Sequence, residues 1–316
     1  MIRFIVRRLA IMAPVLLGIT LLNFLLIDLA PGDAVDLMID PSMSEADRMA
    51  RRQALGLDQP WPVRYGKWLG QLAAGNLGFS FTTYQPVADR IAERLGPSLL
   101  LTTVATLVAY AVAVPLGIAS ALRPYSWVDY VGGFVAVSGV SLPTFFLSLA
   151  GIYVFALRLG WLPTGGMATL GGEASWGDVA RHLVLPATVL ALTNVGMVVR
   201  LTRSSALEAL RQDYVRTARA KGLAEWRVVS RHVLRNSLVP VITMAGLQLP
   251  ALIGGAVITE QVFQWPGMGS LTIQAILGRD YPTLMAINLL AALAVLLGGL
   301  IADVLYAVVD PRIRYE

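Results

Sequence analysis

Six stretches free of charged side chains, at 9–27, 98–122, 130–157, 183–199, 237–259 and 283–302, dominate this sequence. Each reaches or exceeds the ~17–25 residues that a helix needs to cross a bilayer, and tilt absorbs any excess. The residues are apolar on every face, whereas the strands of a membrane barrel alternate over about 10 residues, so helices are expected. Composition agrees, with 56% hydrophobic and 14% charged residues, against roughly a quarter charged in soluble domains. The expected fold class is an all-α polytopic membrane protein of six transmembrane helices. It has a long extracytoplasmic insert after helix 1 and a cytoplasmic loop between helices 4 and 5.

Basic residues orient the spans. An inside N-terminus places Arg3, Arg7, Arg8, Arg123, Arg200, Arg203, the seven Lys/Arg of 206–236, Arg312 and Arg314 in the cytoplasm. The short loops of the other side keep only Arg158, Arg181 and Arg279, as the positive-inside rule requires. The first apolar run is longer than the roughly 7–15 residues of a signal-peptide core, so a retained span is expected. The chain then divides into 1–30 (N-terminus and helix 1), 31–97 (outer insert), 98–308 (membrane core) and 309–316 (cytoplasmic tail). The net charge of +5 therefore reflects inner loops, and a nucleic-acid partner is not expected.

The insert mixes Asp, Arg, Trp and Gly like a small folded unit, with a helix expected over 44–55 capped by Ser44. Trp161 and Trp176 of the second outer loop suit a membrane interface. Prolines 14, 115, 143 and 250 fall inside spans and are expected to kink them. Asp28, Glu260 and Asp303 lie at span ends, where they read as interfacial anchors.

Little in the chain suggests chemistry. The one Gly-Lys pair, Gly66-Lys67, precedes Trp68 and has no phosphate-loop spacing. There is no cysteine, and the two histidines, His182 and His232, have no metal-ligand spacing around them. Neither a catalytic residue, a metal nor a cofactor of this chain's own is expected.

The informative stretch is 206–236. Leu207, Leu210, Tyr214 and Ala218 before Gly222, and Leu223, Trp226, Val229 and Val233 after it, follow helical spacing, with Arg227, Arg231 and Arg235 on another face. Two short amphipathic helices broken at Lys221-Gly222 are expected. On periodicity alone they suit an anionic membrane surface as well as a protein partner.

This loop, read as Asp213-Tyr-Val-Arg-Thr-Ala-Arg-Ala-Lys-Gly222, resembles the E-A-A-x-x-x-G loop of permeases of bacterial ATP-binding-cassette importers. Arg216 and Thr217 stand where the general pattern has Glu and Ala, and Ala218 and Gly222 match it. That departure is the usual form in the dipeptide, oligopeptide and nickel branch. Further segments resemble that branch in the same order. They are Leu29-Ala-Pro-Gly-Asp33, Gly75-Asn-Leu-Gly-Phe-Ser80, Ser141-Leu-Pro-Thr-Phe-Phe146, Arg158-Leu-Gly-Trp-Leu-Pro163, Glu260-Gln-Val-Phe-Gln-Trp-Pro-Gly-Met-Gly269, Arg279-Asp-Tyr-Pro282 and Asp310-Pro-Arg-Ile-Arg314.

The resemblance implies an inner-membrane subunit of a binding-protein-dependent importer of peptides or a related solute. Its partners would be a homologous second permease, two cytoplasmic ATPase subunits that hold ATP and Mg2+, an extracytoplasmic binding protein and membrane lipid. Asp213, Tyr214, Arg216, Thr217, Ala218, Arg219, Lys221, Gly222, Leu223 and Trp226 would then form the coupling element. Tyr214, Ala218, Leu223 and Trp226 are expected as its apolar contacts, with Arg216, Arg219 and Lys221 at the rim. Asn194, Gln248 and Asn288, amides within spans, are expected to face the bundle interior, lining a pathway or bridging helices. A stand-alone transporter or channel is the alternative, although no ionisable residue lies deep in a span.

Because the chain lacks cysteine, a single Cys introduced at Gln53 tests the orientation. It should react with a membrane-impermeant maleimide from the extracytoplasmic face; reaction only from the cytoplasmic face would reverse the topology.

Overall fold

The computed structural model describes residues 2–29, 44–54, 56–171 and 175–309. Residues 30–33 of the Leu-Ala-Pro-Gly-Asp motif and the 310–314 motif lie outside these, as do the side chains of Arg3 and Asp303.

The first span is a single helix, α1 (Ile2–Asp28), which passes Pro14 unbroken. In the insert, α2 (Glu45–Ala54) starts where the Ser44 hydroxyl accepts the Asp47 amide at 3.2 Å, the expected cap. A second insert helix, α3 (Trp61–Ala73), lies against α1. The next helix, α4 (Val87–Leu122), begins well before the apolar run at 98. It spans Pro97, so the expected edge of the insert falls inside a continuous helix of about 54 Å.

The third expected span, 130–157, is not one helix. It breaks at Leu142-Pro143 into α5 (Trp127–Ser141) and α6 (Thr144–Gly151), which continues as a wide π-helical turn through Ile152–Arg158, and the halves meet at 104°. Pro143 has no amide hydrogen and disfavours a helical residue before it, and Leu142 is extended (φ −92°, ψ 126°), so the helix stops here. Span four is the single helix α7 (Trp176–Leu210), capped by Ser175, and it passes Pro186. After the 206–236 loop, α10 (Arg235–Leu247) ends at Gln248 and the chain bends by 42° into α11 (Leu249–Gly254) and α12 (Val257–Val262). Pro250 lies at this second break. Helix α13 (Met268–Leu277) precedes the last span, α14 (Tyr281–Val309). Among the described residues, four helices are long and apolar enough to cross a membrane, or up to six if each bent pair counts as one span.

The packing centres on α4 and α7, which run parallel. Leu101 and Ala105 of α4 meet Leu183 and Ala187 of α7 near one end, Ala109 and Ala113 meet Ala191 and Val195 midway, and Ile118 and Ala121 meet Ala206 and Ala209 near the other. Helix α5 crosses α7 so closely that a Cβ on Gly139 would sit 2.4 Å from the Leu192 carbonyl oxygen, and one on Gly196 2.5 Å from that of Ala136. Only glycine permits that crossing. Arg203 of α7 then forks onto Asp129 of α5 through Nε at 2.6 Å and Nη2 at 2.8 Å, fastening the start of α5.

Two buried carboxylates lock the insert end. Glu260 is fully buried, not an interfacial anchor; its Oε1 accepts from Ser98 Oγ at 2.6 Å and the Ala256 amide at 3.2 Å, and its Oε2 from the Ser270 amide at 3.0 Å. The reason is tertiary: Ser98 of α4 and the Gly267–Ser270 start of α13 close around its carboxylate. Nearby, the buried Trp265 donates Nε1–H to the Pro97 carbonyl at 2.9 Å. Asp28 keeps its place at a helix end but pairs with Arg64 of α3.

The second carboxylate, Asp280, is also fully buried and collects five donors. They are Ser80 Oγ (2.5 Å), the Phe81 amide (2.9 Å), Thr82 Oγ1 (3.3 Å), Arg90 Nη1 (2.9 Å) and Thr283 Oγ1 (2.8 Å). One side chain thus joins the Gly-Asn-Leu-Gly-Phe-Ser loop, α4 and α14. Asp280→Ala should lower stability by about 3–5 kcal/mol, because it strands Arg90 and three hydroxyls without their acceptor. An unchanged thermal unfolding midpoint in nanodiscs would contradict that role.

Candidate functional site

The 206–236 loop folds as expected from its Gly222 break. After α7, an extended Gln212 turns the chain into α8 (Asp213–Ala220). Lys221 closes the helix and Gly222 takes φ +74°. The Leu223 amide reaches back to the Ala218 carbonyl at 3.3 Å and the Gly222 amide to that of Arg219 at 2.9 Å. This pair of bonds is the Schellman closure, which favours glycine at the left-handed position and an apolar residue after it. The Lys-Gly-Leu triplet therefore encodes the turn. Helix α9 (Glu225–Val228) follows and runs through a π-helical turn, Val229–Leu234, into α10. Across the turn Arg219 forks onto Glu225, with Nη2–Oε1 at 2.6 Å and Nε–Oε2 at 3.2 Å. The Glu225 carboxylate also holds the Arg219 guanidinium above its ordinary pKa range.

The inward face differs from the expected stripe. Val215, Ala218, Val228 and Val233 are buried with Ile118 and Ala121 of α4 and Ala206 and Ala209 of α7, and Leu223 packs against them. Ala218 and Leu223 are therefore part of the loop's own core, not outward contacts. Val215 and Val228 were missed because the hydrophobic phase was set one or two residues away, through Tyr214 and Trp226. The signal was present: Val215 and Ala218 are three apart, and Val228 and Val233 five apart across the π-helical turn, where the ordinary period slips.

What remains outward is a small aromatic and charged surface. Trp226 is 67% exposed, with the Arg227 guanidinium 5.2 Å from its ring centre, and Tyr214 is 39% exposed, its ring 6.5 Å from that of His232. Thr217, Lys221 and Arg216 are exposed beside them, Arg216 lying 3.6 Å from Asp213.

The three span amides do not converge. Asn194 donates to the Leu190 carbonyl of its own helix at 3.0 Å. Gln248 accepts from the Tyr110 hydroxyl at 3.4 Å, linking the α10–α11 break to α4, and Asn288 donates to Asn23 of α1 at 3.3 Å. Two of the three bridge helices, and the structure joins none of them into one polar track.

A family model described as the binding-protein-dependent transport system inner membrane component matches residues 113–315, and one for its N-terminal region matches 1–102. The chain belongs to this family. It is a permease subunit, as the loop motif implied. Among its relatives, the oligopeptide transport system permease protein AppB of Bacillus subtilis is 47% identical over 313 residues, 99% of each chain. The glutathione transport system permease protein GsiC of Salmonella choleraesuis is 40% identical over 316 residues, 100% of each. The dipeptide transport system permease protein DppB of Alkalihalophilus pseudofirmus is 38% identical over 334 residues, again 100% of each. The solved inward facing structure of the MetNI methionine ABC transporter aligns at a TM-score of 0.55 and 17% identity, over 70% of this permease and 96% of that chain. That likeness supports the fold.

The two faces of the loop should respond differently to substitution. Ala218→Leu should destabilise the permease by ~1–3 kcal/mol through overpacking. Trp226→Ala should leave stability within ~0.5 kcal/mol, as for an exposed side chain. Thermal unfolding of both variants in nanodiscs checks the assignment, and a stable Ala218→Leu protein would refute it.

Proposed function

We propose that this permease forms half of the translocation pathway of an ATP-driven, binding-protein-dependent importer of di- or oligopeptides or a related small solute. The peptide assignment rests on what the relatives are named for. We further propose the partners expected for such a machine: a homologous second permease, two cytoplasmic ATPase subunits carrying ATP and Mg2+, and an extracytoplasmic binding protein. In this reading each bent helix pair counts as one span, both termini and the 206–236 loop are cytoplasmic, and 31–97 lies outside.

The observation that carries the reading is the loop's construction. Its inner face is fastened to α4 and α7, the two longest of the described helices, while its outer face leaves Tyr214 and Trp226 uncovered. An ATPase surface seated on those aromatics would push on a packed element, and the push would pass into both helices. The arginines and Lys221 at the edge tune association rate and salt dependence more than affinity. Asn194, Gln248 and Asn288 are kept as candidate interior positions; the bonds of Gln248 and Asn288 favour a bundle-joining role.

A Cβ at Gly222 would meet no neighbour within 4 Å, so Gly222→Trp projects a bulky group outward and strains the turn while leaving the spans inserted. It should weaken co-purification of the ATPase subunits by about tenfold, the equivalent of ~1.4 kcal/mol, or uncouple ATP hydrolysis from uptake. Full assembly with full coupled uptake would remove the loop from the mechanism.

A further inference from the structure

Helix α7 carries an open stripe beside the coupling loop. Arg200, Arg203, Ser204, Leu207, Glu208 and Arg211 recur at steps of three and four residues, so they share one helix face, and they line a groove of about 600 Å3. Arg200, Ser204, Glu208 and Arg211 are exposed, and 34% of the Arg203 side chain remains open. A ligand in the groove can therefore touch them. Arg203 bonds Asp129 of α5 through Nε and Nη2, which fixes the guanidinium plane and leaves Nη1 over. Among the described residues neither Arg200 nor Arg211 has a carboxylate partner.

Two observations set the depth of this groove. No Asp, Glu, Lys or Arg lies between Arg181 and Arg200, a helical rise of about 28 Å, which matches the ~30 Å hydrocarbon core of a bilayer. Arg200 thus emerges at the headgroup boundary. Asp129 also accepts the Tyr125 amide at 2.9 Å, so the carboxylate that holds Arg203 holds the start of α5 as well. There Tyr125, Trp127 and Tyr130 are 84%, 75% and 70% exposed, as suits rings at a membrane interface. Farther along α5, Phe134 and Val137 are exposed too, an apolar wall for an acyl chain.

An anion at that depth is a lipid phosphate. Glu208 and Arg211 lie one turn and two turns beyond Ser204, where the rest of a headgroup would reach. An ammonium there would suit Glu208 but meet the guanidinium of Arg211. A hydroxyl can donate to the carboxylate and accept from the guanidinium. We infer that this stripe binds an anionic phospholipid with a hydroxylated headgroup, of the phosphatidylglycerol type. Its phosphate sits at Arg200, Arg203 and Ser204, and its glycerol hydroxyls at Glu208 and Arg211. The lipid then lies against Leu207, which packs on the core of the coupling loop, and braces that loop from the membrane side.

The test is native mass spectrometry of the full chain in detergent, titrated with phosphatidylglycerol and phosphatidylethanolamine in competition. Phosphatidylglycerol should be retained in preference. Arg200→Gln should weaken its retention by about tenfold, the effect of one charge-assisted contact. Arg123→Gln, an exposed cation outside the groove, should bind as the wild type does. Glu208→Leu should also weaken retention severalfold, although it makes the groove more positive. Tighter binding by Glu208→Leu, or an equal loss in Arg123→Gln, would reduce the effect to charge attraction and overturn the site. So would equal retention of the two lipids, displacement of the lipid by inorganic phosphate, or its exclusion by the second permease in the assembled importer. Adduct formation by this chain alone needs neither solute nor ATPase, so failure of the site would leave the transport reading standing.

Discussion

Ala105, Ala109, Ala113, Gly117 and Ala121 recur every fourth residue along α4, and this ridge of small side chains lets α7 lie close along its length. Within a bilayer the apolar effect cannot drive two helices together, so close approach and dispersion must do so. Each atom pair contributes only ~0.1–0.2 kcal/mol, and the sum depends on many pairs at short range. Substituting a large side chain anywhere on the ridge would lift the helices apart at several contacts at once. The other elements attach to this seam: α5 at the Gly139–Gly196 crossing, α12 through Glu260 and Ser98, and the 206–236 loop through Val215 and Val228.

The two buried carboxylates solve a different problem. Where the chain leaves helical ladders at the insert end, its amides and hydroxyls need acceptors away from water. Glu260 and Asp280 supply them, each bonding across segments far apart in sequence. Their donors are mainly hydroxyls and backbone amides, with one arginine on Asp280, so each charge is dispersed over several short bonds.

Much of this was legible beforehand. The apolar runs located every long helix, Ser44 its cap, and Gly222 the break in the loop. The alanine spacing on α4 was equally visible, but it becomes informative only once a partner helix is known. Other features depended on tertiary structure. A proline within an apolar run reads alike whether the helix passes it, as at Pro14 and Pro115, or stops, as at Pro143. The difference lies in whether the preceding residue can stay helical and whether neighbours accept the freed carbonyl. Glu260 looked like a span-end anchor because nothing local announces that Ser98 of α4 and the start of α13 close around it. The loop's phase was misjudged because its two largest side chains, Tyr214 and Trp226, face out while small valines and alanines face in.

The loop also has a thermodynamic property of its own. The Schellman closure at Gly222, the Arg219–Glu225 fork and the buried valines leave it little freedom before anything touches it. A segment that must fold on docking surrenders conformational entropy at that moment, and its affinity falls accordingly. Here that entropy is lost when the chain itself folds. A partner covering Tyr214 and Trp226, as proposed above, would meet a rigid knob, so the two surfaces could separate and rejoin repeatedly without the loop melting between encounters.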